Sequence, residues 1–419
     1  MRRVNAIRII GGRPLEGSIS VQGSKNAALP MMAAALLHEG TTVLHNCPRI
    51  ADVFYMEEIL EDLGADTFWN GHTLHLDCSC IRKDCVKQDY TNKMRSSIIL
   101  LGALLGRKKR GRIGYPGGCV IGQRPVDLHL QVLKSLGAQI RQDESTISAD
   151  AKEMQGGCFV FPRRSVGATE QGMLAAASIP GETQLLNCAC EPEVLWLQKL
   201  LNAMGADVQG AENGRICIRG TDTFRDCEFQ VPSDRIVAGT YLCAAAATRG
   251  KITIINPPAE EMKSFLEVYQ KMGGQYEFIG GKLIADARWA SKPVDFVETA
   301  EYPGFPTDLQ SPLMSVLAVA DGVSCIRENI FEDRFKAANE LKKMGAEIYI
   351  SKRDAMVKGS CLRGTLVEAQ ELRGGAALVL AGLAAEGETI VKGGSYIERG
   401  YETICEDLAS LGGRIERYR

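Results

Sequence analysis

Residues 36–66, LLHEGTTVLHNCPRIADVFYMEEILEDLGAD, read as the end of an apolar helix, a glycine turn, a short β-rich run, a loop, and a second helix stopped by Gly64. The stop, Leu63-Gly64-Ala65, returns as Leu136-Gly137-Ala138, Met204-Gly205-Ala206, Met272-Gly273-Gly274, Met344-Gly345-Ala346 and Leu411-Gly412-Gly413. The steps between these glycines are 73, 68, 68, 72 and 67 residues, which makes the chain six copies of one α/β unit. Upstream of each stop, Gly40, Gly111, Gly181, Gly250, Gly322 and Gly387 open the β-rich runs and are expected to turn the chain there.

The period is longer than the ~20 to 50 residues of common solenoids, and no unit is polar enough to be an end cap, so closed domains fit better. Cut before their first helices, the units begin near residues 25, 93, 163, 233, 305 and 371, and the last keeps only 49 residues. Residues 1–24 restore its length, so the strands in AIRIIGG and SISVQG are expected to complete the sixth unit. The predicted architecture is α/β with three units in each of two domains. One domain is discontinuous, residues 1–24 and 233–419, and the other is residues 25–232.

The 419 residues carry 49 Lys+Arg against 51 Asp+Glu, a balance that gives no electrostatic reason to expect nucleic acid or an anionic membrane as partner. No apolar run approaches the ~18 to 20 residues of a membrane span, and MRRVNAIRIIGG lacks the core of a secretory signal. A cytoplasmic protein is expected. Its 14 cysteines are scattered through a chain long enough to fold without staples, so most are expected to be buried thiols. All five histidines lie at or before His129, which leaves carboxylates, Lys, Arg or Cys to carry any chemistry beyond it.

The first helix of each unit is nearly all apolar, as in AALPMMAAALL and GGAALVLAGLAA, the mark of a helix buried on every side. These helices start at Ser24-Lys25-Asn26, Asn92-Lys93-Met94-Arg95, Ser165-Val166-Gly167-Ala168-Thr169, Ser233-Asp234-Arg235, Pro306-Thr307-Asp308 and Glu371-Leu372-Arg373. Each start presents free N–H groups that favour an anion by ~0.3 to 1 kcal/mol. Grouped, they predict a cleft for a multiply negative ligand.

Cys119 lies in Tyr115-Pro116-Gly117-Gly118-Cys119-Val120-Ile121-Gly122-Gln123-Arg124-Pro125-Val126-Asp127-Leu128-His129. A thiol on such a glycine-rich loop suits a general acid or a nucleophile, and equally an incidental loop cysteine, with His129 as a remoter partner. Arg334 in FEDRF and Arg399 in IERG fall at equivalent loops of the last two units, and with Lys25, Arg95, Arg124 and Arg373 they form a recurring set of cations. Asp308 fits a helix cap as well as a catalytic base. The His72, His75, Cys78, Cys80 and Cys85 cluster resembles a zinc site only superficially, because its apolar residues alternate as in a half-buried strand entered through an Asn70-Gly71 turn. The basic run at 107–110 reads as a solvated turn, and the Gly-Gly pairs lack a phosphate-loop context.

Taken together, GSKNAALP, KMRSS, PGGCVIGQRPVDLH, RSVGAT, FPTDLQ, FEDRF, ELRGGAALVLAGL and ERGYE resemble the enolpyruvyl transferase family along the whole chain, in its branch that acts on a nucleotide sugar. The resemblance implies a two-domain inside-out α/β barrel with buried parallel helices, needing neither cofactor nor metal. It implies transfer of the enolpyruvyl group of phosphoenolpyruvate to the 3-hydroxyl of UDP-N-acetylglucosamine with release of phosphate, the first committed step of peptidoglycan synthesis and a target of fosfomycin-type thiol reagents.

By resemblance Cys119 is the proton donor, Asp308 the base, and Lys25 and Arg399 complete the catalytic set. Phosphoenolpyruvate would be held by Lys25, Asn26, Arg124, Arg334, Arg373 and Arg399. The nucleotide sugar would meet Asn26, Arg95, Arg124, Pro125, Val126, Asp127, Leu128, Arg163, Ser165, Val166, Gly167, Asp308 and Ile330. Glu371 departs from the family's usual Asp, so an altered rate is expected there. The alternatives are the family's shikimate-3-phosphate branch, whose GSKS and GNAGT patterns this chain lacks, and a non-catalytic UDP-sugar-binding regulator.

Overall fold

Each repeat buries most or all of one helix, its first. In the computed structural model, which describes residues 6–117, 122 and 125–418, every residue of the helices Arg235–Ala247 and Gln310–Leu317 is buried, as is Ala27 to Ala35 within Lys25–Ala35. The same holds for Leu100 to Gly106 in Leu100–Lys108, Ala168 to Ala176 in Val166–Ala176, and Leu372 to Leu383 in Leu372–Ala384. Small residues allow this, because alanine and glycine let three helices approach one another closely without cavities. The first helices of units one to three pack together, and so do those of units four to six.

Around each helix cluster lie three four-stranded sheets, six in all among the described residues. In the third unit Cys158–Val160 runs parallel to Glu182–Leu186, with Cys158 opposite Gln184, and Val166–Ala176 makes the crossover between them. Arg215–Arg219 then pairs antiparallel with both Glu182–Leu186 and Asp207–Gln209. Strand residues alternate between buried and outward-facing, so each sheet covers the helices with one face and meets water with the other. Helices inside and sheets outside is the inside-out arrangement.

The described residues divide into two compact units: 6–22 with 122 and 233–418, and 23–117 with 125–232. The exchange between them is made by two strands. Glu16–Ser20 precedes the helix Lys25–Ala35 but pairs with Lys251–Ile255, setting Ile19 opposite Ile254. Cys227–Gln230 precedes the helix Arg235–Ala247 but pairs with Thr41–His45. This corrects the expectation for the N-terminus. Ala6–Ile10 does complete the sixth sheet, between Glu388–Lys392 and Arg414–Tyr418, whereas Glu16–Ser20 belongs to the fourth. The residue count fits the sixth unit, but a strand's sheet is set by its pairing partner, and buried Ile19 finds one in Ile254.

The six stop glycines all adopt left-handed backbone, with φ from 89° to 115°. The upstream glycines do not behave alike. Gly181, Gly322 and Gly387 have positive φ, but before Gly250 it is Arg249 that turns, at φ 56°. Gly250 is required for closeness instead, since a Cβ there would lie 2.2 Å from the Leu15 carbonyl oxygen. The cysteines also differ from expectation: six of the 13 described are buried, and Cys217 and Cys325 occupy half-buried positions on sheet strands. Among the described residues, no helix is long and apolar enough to cross a membrane.

Candidate active site

In the unit built on residues 23–232, the first helix begins at Lys25, and Ser24 caps it by accepting from the Ala27 N–H at 3.3 Å. Lys25 Nζ donates to Asp52 at 3.2 Å, and Asp52 is buried in the first turn of Ala51–Leu63. Asn26 is half-buried beside it. Arg95 opens the short helix Arg95–Ile99 and donates through Nη2 to the Pro125 carbonyl at 3.0 Å, tying that helix start to the segment before Asp127–Ser135.

Asp127 pairs with Arg163 at 3.1 Å. Ser165 caps Val166–Ala176 through the Ala168 N–H, and Leu128 is buried. Val166 and Gly167 are half-buried, and a Cβ on Gly167 would come within 2.9 Å of His129 Nε2, so the imidazole backs this helix start. Arg95, Pro125, Val126 and Asp127 share a cleft of about 520 Å³ with Tyr115, Pro116, Lys134 and Gln142. Cys119 and Arg124 lie outside the described residues.

In the other unit, Asp308 sits in the single turn Thr307–Leu309 that leads into Gln310–Leu317. Its Oδ1 accepts from Arg334 Nη2 at 2.9 Å and its Oδ2 from Arg373 Nε at 3.3 Å. The two arginines are almost wholly buried, 3% and 1% exposed, while the Asp308 side chain remains 28% exposed. Arg334 Nε and Arg373 Nη1 are buried with no hydrogen-bond acceptor among the described residues, while Arg373 Nη2 lies 3.3 Å from Asp308 Oδ2. Burying guanidinium N–H groups unmet is costly, so the arrangement suits an anion that accepts from them.

Burial opposes the charge on Arg373, yet Tyr401, Asp308 and Asp234 hold its pKa above the usual value. The guanidinium lies 5.2 Å from the centre of the Tyr401 ring, and Thr240 and Tyr401 share a hydrogen bond at 2.8 Å. Glu371 caps the helix Leu372–Ala384, accepting from the Arg373 N–H at 2.9 Å and from the Gly374 N–H. Its carboxylate is thus engaged at the helix start that carries Arg373. Arg399 is half-buried after the short helix Gly394–Ile397, two residues before Tyr401. Ile330 donates its N–H to Glu328 at 2.8 Å.

The structure therefore gathers Asp308, Arg334 and Arg373 in one unit, and Arg95, Pro125, Asp127 and Arg163 in the other. Sequence reasoning missed Asp52, Tyr401 and Glu328. Asp52 had a signal in its position at a helix start. The other two had none, because nothing in the order of residues shows what they face. Among the described residues no group of three or more His, Cys, Asp or Glu is placed to hold a metal ion, and His72 and His75 lie at the turn and in the strand of the hairpin Asp66–Asn70 and Thr73–Asp77.

The family described as EPSP synthase (3-phosphoshikimate 1-carboxyvinyltransferase) matches residues 9–408. UDP-N-acetylglucosamine 1-carboxyvinyltransferase 2 of Caldanaerobacter subterraneus is 43% identical over 411 residues, 98% of this chain and 99% of that protein. UDP-N-acetylglucosamine 1-carboxyvinyltransferase of Halothermothrix orenii is 41% identical over 413 residues, again 98% and 99%. Among solved structures, the enolpyruvyl transferase NikO from Streptomyces tendae superposes with a TM-score of 0.88 at 25% identity, covering 98% of each chain. EPSP synthase from Acinetobacter baumannii shares the fold, with a TM-score of 0.73 over 99% of this chain and 100% of that one at 21% identity. Match and fold agree along the full length: the chain belongs to the EPSP synthase family of enolpyruvyl transferases.

Proposed function

We propose that the protein transfers the enolpyruvyl group of phosphoenolpyruvate to the 3-hydroxyl of UDP-N-acetylglucosamine, releasing phosphate, in the cytoplasm and as the first committed step of peptidoglycan synthesis. The observation that carries this reading is Asp308, a partly exposed carboxylate oriented by two buried arginines, of which Arg334 Nε and Arg373 Nη1 have no acceptor among the described residues. Such a site offers a proton acceptor next to a seat for a phosphate or carboxylate. The names of the full-length relatives supply the acceptor.

In this reading a proton is added to the methylene carbon of phosphoenolpyruvate, with Cys119 as donor and able to form a covalent adduct. The sugar oxygen attacks the adjacent carbon while Asp308 takes the hydroxyl proton. Loss of phosphate and of one methyl proton then restores the double bond. Lys25, Arg124, Arg334, Arg373 and Arg399 offset the charge of phosphate and carboxylate, and Asn26 positions the sugar. Arg95, Arg124 to Leu128, Arg163, Ser165 to Gly167 and Ile330 hold the nucleotide sugar.

The test is phosphate release from phosphoenolpyruvate with UDP-N-acetylglucosamine, beside shikimate-3-phosphate and a no-acceptor control. Release with the nucleotide sugar alone is expected. Release with shikimate-3-phosphate alone would move the chain to the other branch, and binding of the UDP-sugar without release would make it a regulator.

A further inference from the structure

Glu328 follows the strand Val323–Arg327 and is only 1% exposed, yet no cation among the described residues forms an ion pair with it. Four neutral donors satisfy its carboxylate instead. Oε1 accepts from Thr299 Oγ1 at 2.9 Å, from the Ile330 N–H at 2.8 Å and from the Phe331 N–H at 3.0 Å, and Oε2 accepts from Thr307 Oγ1 at 3.0 Å. Three of these donors belong to two segments that reach the candidate site, and the fourth, Thr299, follows the strand Val297–Glu298. Thr307 immediately precedes Asp308, while Ile330 and Phe331 open the loop that leads to Arg334.

We propose that Glu328 is a positioning residue for the transfer reaction, holding the Asp308 turn against the Ile330 to Arg334 loop. The contact it serves is the hydrogen bond between Asp308 and Arg334. A carboxylate is suited to the task because it is acceptor-only and takes several donors at once. Its burial without a cation is supported by these hydrogen bonds, and loss of the acceptor would leave half-buried N–H and O–H groups unmet on both segments. This role rests on the proposed function, since it is read through that reaction.

The chemistry predicts different results for three variants of the full chain. In Glu328→Gln the amide oxygen keeps the three donors of Oε1, and the amide NH2 faces Thr307, whose hydroxyl reverses to accept. Its kcat and KM are expected within about threefold of wild type, because all four hydrogen bonds have a replacement. In Thr307→Val only the tie to the Asp308 turn is lost, so kcat is expected to fall about tenfold with KM for UDP-N-acetylglucosamine unchanged. In Glu328→Ala both segments are released, and kcat falls about a hundredfold while KM for the nucleotide sugar rises through Ile330.

Steady-state phosphate release measures all three beside wild type. A loss of folded protein lowers kcat alone and in proportion, so the rise in KM for Glu328→Ala and the rescue by Gln separate positioning from stability. If Glu328→Ala does not fold, Thr307→Val and Glu328→Gln decide. Wild-type kcat in Thr307→Val, or a Gln variant as impaired as the Ala variant, overturns the role. Absence of release from wild type with the nucleotide sugar overturns the proposed function instead.

Discussion

Arg334 Nη2 meets Asp308 Oδ1 at 2.9 Å, so a nearly buried guanidinium fixes the direction of a carboxylate that is itself partly open to solvent. With Arg373 on the other oxygen, Asp308 is oriented from two sides. Asp308→Asn keeps the shape and removes the base. Phosphate release is expected to fall by about 10² to 10⁴-fold, the usual worth of a positioned general base. Stability is expected to drop by less than the about 3 to 5 kcal/mol of a broken buried pair, because solvent still screens the aspartate. Rate and thermal melting measured on one preparation test both, and a variant that melts early yet turns over normally would refute the assignment of the base.

The pair of Lys25 and Asp52 makes a second prediction, this time about stability. Both side chains are largely buried, 14% and 3% exposed, and 3.2 Å apart. Lys25→Met removes the ammonium that meets Asp52 and is expected to destabilise the protein by about 3 kcal/mol, whereas Lys25→Met with Asp52→Leu recovers much of that loss. Urea unfolding of the two single variants and the double variant gives the coupling. Activity is expected to be absent wherever Lys25 is missing, so recovery of stability without recovery of turnover would separate the two roles of the lysine.

Glu170, inside the helix Val166–Ala176 and just beyond the Ser165 cap, predicts a pH dependence. Burial, with Glu193 and Glu191 nearby, pushes its carboxyl well above the usual range. The folded pKa exceeds the unfolded one, so its contribution to stability is fully present below the unfolded carboxylate range. It is lost as pH rises toward the folded pKa, because the unfolded chain releases the proton first. Glu170→Gln imitates the neutral form. Its urea midpoint is expected to gain on wild type progressively from pH 4 to pH 7, and a constant difference would show that Glu170 ionises alike in both states.

The repeat was legible because its punctuation is local. Glycine is needed where a helix ends in left-handed backbone, and all six stops obey. The buried helices were legible from continuous apolar runs. Pairing between distant strands was not, which is why Glu16–Ser20 was expected in the wrong sheet. The candidate site divides the same way: the cations, Arg334 and Arg399 among them, recur at equivalent points of the repeat, but what Tyr401 and Glu328 face across the fold leaves no trace in the order of residues.

One local signal went unread. The strands Thr41–His45, Glu182–Leu186 and Lys251–Ile255 are followed by Asn46, Asn187 and Asn256, all with φ between 52° and 55°. Asparagine tolerates this backbone better than most residues, and Asn187 also donates from Nδ2 to the Phe161 carbonyl at 2.8 Å. Asn187→Ala is expected to cost about 1 to 3 kcal/mol through strain and the lost hydrogen bond. Asn256→Gly is expected to be near neutral. Equal losses at the two sites in chemical denaturation would contradict this assignment of backbone strain.

Glu371 precedes the helix that carries Arg373, and the structure shows what its side chain reaches. Its carboxylate accepts from the N–H groups of Arg373 and Gly374, so a buried glutamate does the work commonly done by a shorter N-cap residue. Glu371→Ala leaves both donors unmet at the start of a wholly buried helix and is expected to destabilise by about 0.5 to 2 kcal/mol. Glu371→Asp preserves a cap, so its melting temperature is expected to stay near wild type. Its turnover is expected to rise, because the cap sets the helix start from which Arg373 reaches Asp308. Unchanged turnover together with unchanged melting would confine Glu371 to capping and remove it from any account of the rate.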